Sequence, residues 1–172
     1  MQIARRHVIL LALFAGLGTG ILPARAGMAQ DMPAGDAVFG QPGAAKDVSR
    51  TVAIAMNDTM RFQPDKLNFN RGETVRLRIG NTGKLPHEFV LGTKAEIAEH
   101  AAMMRKHPGM IHADANAARL APGKQADVIW KFSKAGTFFF ACLVPGHWEA
   151  GMQGTVTVAE PAPRSRKTSD SP

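Results

Sequence analysis

Cysteine is nearly missing from this chain: Cys142 is the only one in 172 residues. An internal disulfide is therefore ruled out, and a single thiol in an exported protein has either a buried berth or a chemical use. No cysteine stands near the end of the N-terminal segment, which excludes a lipid-anchored start. Long apolar runs are scarce as well. The longest, Val8 to Leu22, falls short of the roughly 20 residues that a membrane-crossing helix needs. No segment repeats internally, and the six histidines never fall as His-x-His pairs. Basic residues are in mild excess but scattered, which excludes a nucleic-acid patch.

The first 26 residues have the layout of a secretory signal. Arg5 and Arg6 precede the apolar stretch, and Ala24-Arg25-Ala26 supplies small residues for cleavage. The paired arginines leave both general secretory (Sec) and twin-arginine (Tat) export open. With 21 Lys and Arg against 14 Asp and Glu, the loss of three arginines leaves a mature balance of about +4. No membrane span is expected after cleavage. Residues 27–48, rich in Gly, Ala and Pro, read as a flexible leader, and 160–172 as a disordered tail. That leaves 49–159 as one domain.

Within it, strand signals dominate. Residues 73–81, "ETVRLRIGN", alternate Val75, Leu77 and Ile79 against Arg76 and Arg78. Similar short runs lie at 51–56, 66–70, 87–92, 126–132, 136–142 and 154–158, with Gly, Asn and Pro turns between them. Seven or so such strands predict an all-β sandwich or small barrel. One insertion departs from this. Thr93 and Glu96 have the spacing of a capping box, and good helix formers follow until Pro108, so a helix of about three turns is expected.

The chemistry gathers at "CLVPGHWEAGM", residues 142–152. A thiol at a strand end, His147 beyond the Pro145-Gly146 turn and Met152 beyond Gly151 can all face one point. Two imidazoles and a thiolate in a plane, with a weak axial thioether, make a type 1 copper site. The missing imidazole is expected from His87, because only His87 and His147 lie on the strand framework.

"GNTGKLPHEFVL" followed by "GTFFFACLVPGHWEAGMQGTVTV" resembles the cupredoxin family of small copper proteins. The Cys-x4-His-x4-Met spacing is similar to the rusticyanin-like metal loop, and residues 50–159 resemble the periplasmic copper-resistance cupredoxins of the CopI type. The resemblance implies a Greek-key β-sandwich with a single mononuclear copper near one end. By position, His87, Cys142 and His147 would be its equatorial ligands and Met152 the axial one. It also implies a periplasmic protein for copper tolerance and handling; the alternative is a small shuttle carrying electrons to a periplasmic redox protein. Where many cupredoxins have Asn or Ser after the first histidine, this chain has Glu88. That carboxylate either tunes the copper from the second shell or faces solvent beside a Lys or Arg, and the solvent-facing reading is preferred. Trp148 either covers the site or packs on the loop.

A second set of soft donors lies on the inserted helix. His100, Met103 and His107 share roughly one helical face with Met104, and Met110 and His112 follow. The pattern permits an additional Cu(I) site at His100, Met103, His107, Met110 and His112. The competing reading is a core stripe, since Ile97, Ala101 and Met104 also align. Enzymes that use this loop need further domains and paired histidines. A binuclear copper loop needs a second cysteine where Gly146 stands, so no enzyme is expected.

Overall fold

A computed structural model describes residues 39–107 and 114–162. The signal sequence, the last ten residues, Met110 and His112 lie outside the described residues.

The predicted alternation decides which side of each strand is wet. Strand β5 (Thr74–Asn81) buries Val75, Leu77 and Ile79 and turns Arg76 and Arg78 outward. Both arginines reach Asp127 of β8 (Gln125–Phe132), at 3.4 and 3.2 Å. With β1 (Gly40–Pro42), β2 (Arg50–Asn57) and β3 (Arg61–Gln63) these make one sheet, ordered β1-β8-β5-β2-β3. The second sheet comprises β4 (Lys66–Asn70), β6 (His87–Gly92), β7 (Ala117–Leu120), β9 (Gly136–Ala141) and β10 (Gln153–Ala159), ordered β4-β10-β9-β6-β7. β2 runs parallel to β5, and β4 parallel to β10, and the remaining pairs are antiparallel. Parallel neighbours cannot be joined by tight hairpins, so the chain crosses between the sheets. The result is an all-β Greek-key sandwich with one short inserted helix.

Aromatic side chains fill the space between the sheets. Phe62 meets Phe140 edge-on at 5.0 Å, and Phe89 stacks on Phe140 at 5.3 Å. Each fully buried phenylalanine contributes about 1.5–3 kcal/mol relative to exposure. This packing fixes β6 and β9, the strands that carry His87 and lead into Cys142.

Strand β6 is buried throughout because it is covered on both faces. Phe89 and Leu91 point into the sandwich, while Val90 joins Ala141 and Leu143 beneath the inserted helix. That helix, α1 (Lys94–Lys106), begins as its sequence predicts. The Thr93 hydroxyl accepts the Glu96 N–H at 3.2 Å, and the Glu96 carboxylate accepts the Thr93 N–H at 2.7 Å. Its apolar stripe of Ile97, Ala101 and Met104 is buried.

Two expectations need correction. Residues 39–48, assigned to the leader, are not all leader: β1 pairs with β8, and Phe39 is buried against Trp130 at 5.0 Å. Backbone pairing and one buried aromatic side chain hold the segment to the sheet. Glu88 does not face solvent either. It is 7% exposed, on a strand buried along its whole length. Among the described residues no helix is long and apolar enough to cross a membrane.

Candidate metal centre

The loop from Cys142 to Met152 winds back on itself through its own backbone. His147 N–H donates to the Val144 carbonyl, Ala150 N–H to Gly146, Gly151 N–H to Trp148 and Met152 N–H to His147. The Cys142 N–H then donates to the Met152 carbonyl at 3.0 Å and closes the loop. This explains the even spacing of the three side chains: one loop end holds the thiol, the other the thioether, and the imidazole sits between. Gly146 and Gly151 take φ of 85° and 93°, in the left-handed region that a side chain disfavours. A neighbouring cation holds the loop from outside. The Arg61 guanidinium donates to the Ala150 carbonyl at 2.9 Å and to its neighbour Met60 at 2.7 Å.

His87 arrives from the opposite side on a loop knitted by Asn81. That buried amide donates to the Leu85 and Leu120 carbonyls, and its oxygen accepts the Gly83 N–H. The three predicted donors then converge. His87 Nδ1 lies 3.2 Å from His147 Nδ1, and Cys142 Sγ lies 3.4 Å from His147 Nδ1 and 4.0 Å from His87 Nδ1. His87 and Cys142 are fully buried and His147 is half-buried, so one imidazole edge lies nearest solvent. Met152 is fully buried, and its backbone bonds to both Cys142 and His147.

This donor set fits copper. Donors that share one ion at about 2 Å each lie 3–4 Å from one another, as these do. Two imidazoles and a sulfur match the soft and borderline preferences of a type 1 centre. Burial pushes the Cys142 thiol above its ordinary range, partly offset by the backbone N–H groups of Glu88 and Val144. Burial, then the facing His87, pushes His147 down. Both shifts favour the neutral forms of Cys142 and His147. A cation that binds there displaces the thiol proton.

The residues around this cluster differ from expectation in instructive ways. Glu88 acts on Cys142 through its backbone, whose N–H donates to Sγ at 3.3 Å. Trp148 is half-buried against the cluster beneath α1, and its indole N–H donates to Gln153 at 2.9 Å, so it packs the loop down. Asp58 was not foreseen. Its Oδ1 lies 3.1 Å from His87 Nε2, and it also accepts the N–H groups of Lys84 and Leu85. Those bonds, the one from Lys84 foremost, hold its carboxyl below the usual range. The only local sign was an acid in a turn, 29 residues before the histidine it serves. On α1, Met104 goes to the core, whereas Met103 is 37% exposed and His107 is exposed at the C-terminal cap. His100 is half-buried.

A Greek-key sandwich with a His-Cys-His cluster at the end of β9 defines a small copper protein of the cupredoxin class. The chain belongs to the plastocyanin/azurin family of copper binding proteins, which it matches over residues 48–159. It is 52% identical over 123 residues to the copper-resistant cuproprotein CopI of Rubrivivax gelatinosus, covering 72% of this chain and 74% of that one. A CopI from Pseudomonas aeruginosa is 36% identical over 159 residues, covering 76% and 87%. Among solved structures, the dithionite-reduced auracyanin of Roseiflexus castenholzii superposes with a TM-score of 0.56 at 25% identity, covering 65% of this chain and 98% of that one.

Proposed function

We propose that this protein holds one mononuclear type 1 copper through His87, Cys142, His147 and Met152, and serves copper tolerance in the periplasm. The convergence of two Nδ1 atoms and one Sγ within 4.0 Å carries the reading. The CopI relatives, described as copper-resistant cuproproteins, supply its biological direction. Copper, when bound, exchanges one electron between Cu(I) and Cu(II). The chain's part is to hold the donors in place. Packing fixes β6 and β9, the Glu88 N–H orients the sulfur, and the Cys142–Met152 backbone bond closes the loop. Such a protein binds and exchanges electrons and is not an enzyme. Export by the first 26 residues, through either secretion route, delivers it to the compartment where a lone thiol needs protection by metal. His100, Met103 and His107, with Met110 and His112, supply additional Cu(I) capacity. The exposed Met103 thioether favours this over a pure core stripe.

A strain lacking the protein should become copper-sensitive. The wild-type gene should restore growth, and one carrying Cys142→Ser should not. Equal rescue by the serine variant would overturn the reading.

The second reading is an electron shuttle to a periplasmic redox protein. It is favoured by Leu85, 45% exposed on the loop that carries His87. With exposed Pro145 on the His147 loop it offers apolar surface at the copper end. Copper tolerance unaffected by deletion, together with fast electron exchange in vitro, would select the shuttle.

A further inference from the structure

We propose that Asp58 is a positioning residue for the copper centre: it sets the His87 tautomer before metal arrives and biases the bound ion toward Cu(II). This rests on the copper reading above. Asp58 lies in the turn between β2 and β3, and its carboxylate makes three contacts to one short segment. Oδ2 accepts the Lys84 N–H at 2.7 Å, and Oδ1 accepts the Leu85 N–H at 3.2 Å and faces His87 Nε2 at 3.1 Å. Backbone N–H groups only donate, so the carboxylate is an acceptor here, and Nε2 must carry the hydrogen. That leaves Nδ1 bare. Nδ1 is the atom directed at His147 and Cys142. With His87 fully buried, no water competes for this choice.

The turn is built for close approach. Met60 adopts φ of 57°, uncommon for a residue with a side chain. A Cβ on Gly83 would collide with the Asp58 carboxylate. A carboxylate one hydrogen bond behind a ligand imidazole makes that ligand more basic, which favours the more positive ion. The Asp58 side chain is 34% exposed, so its charge is partly screened.

The test is Asp58→Asn, which keeps the shape and removes the charge. Its Cu(II) affinity should fall about tenfold further than its Cu(I) affinity, a rise in reduction potential of about 59 mV for one electron. In the metal-free wild type, nitrogen-15 NMR should find His87 with hydrogen on Nε2, and the variant should populate the Nδ1–H form. Equal loss of both affinities, or a wild-type His87 protonated on Nδ1, would overturn the proposal. Should the variant not fold, the wild-type spectrum decides by itself. A wild type that takes up no copper overturns the copper reading instead, and the His87 tautomer still decides whether Asp58 positions that ring.

Discussion

Cys142 and His147 show how burial prepares donors. Both are pushed toward their neutral forms, the thiol upward from 9.0 and the imidazole downward from 6.5. The signs follow by linkage. Below pH 6.5 the unfolded chain takes up the His147 proton first, so the metal-free fold loses stability as pH falls from there. Above pH 9.0 the unfolded chain loses the Cys142 proton first, so stability falls again as pH rises. Denaturation midpoints of the metal-free protein should therefore drop on both sides, and Cys142→Ala should remove the alkaline drop alone. Copper loading at pH 7 should release close to one proton, read by calorimetry in buffers of different ionisation heat. Met152 sits fully buried, so Met152→Leu should keep the fold within about 1.5 kcal/mol. Loss of that weak donor should raise the reduction potential. An unshifted potential would remove Met152 from the ligand set.

At the scale of elements, the strands were readable where alternation ran long enough. β5 announced itself through Val75, Leu77 and Ile79 between arginines, and α1 through Thr93 and Glu96. β1, β3 and β7 are three or four residues each and carry too few side chains to show a period. Their places come from pairing with distant strands, which no local pattern records. Glu88 was misread for the same reason: its burial follows from the tertiary setting of β6, which is buried along its whole length. In the candidate site, the loop spacing exposed Cys142, His147 and Met152, whereas Asp58 reaches His87 only through the fold. Two substitutions separate these layers. Thr93→Ala should cost about 1 kcal/mol by removing the helix cap, leaving the copper spectrum unchanged. Arg61→Ala removes the guanidinium bonds to Met60 and Ala150, with a cost of about 1–2 kcal/mol. It should speed amide exchange at Ala150–Met152, and unchanged exchange would show that the loop holds itself.

Across the whole molecule, two sheets packed on phenylalanines make a rigid frame, and both candidate ligand segments hang from it at one end. A metal held by the folded chain adds stability by binding. At a free concentration 100 times its dissociation constant, a ligand adds about 2.7 kcal/mol, and the melting temperature should rise accordingly. The central claim is that Cys142 and the two histidines hold one copper ion. It is tested most directly by titrating Cu(II) into the purified mature protein while recording visible absorption and electron paramagnetic resonance. The account predicts an intense thiolate-to-copper band that saturates at one equivalent and is absent in Cys142→Ser. A wild type without that band, or a serine variant that keeps it, would contradict the assignment.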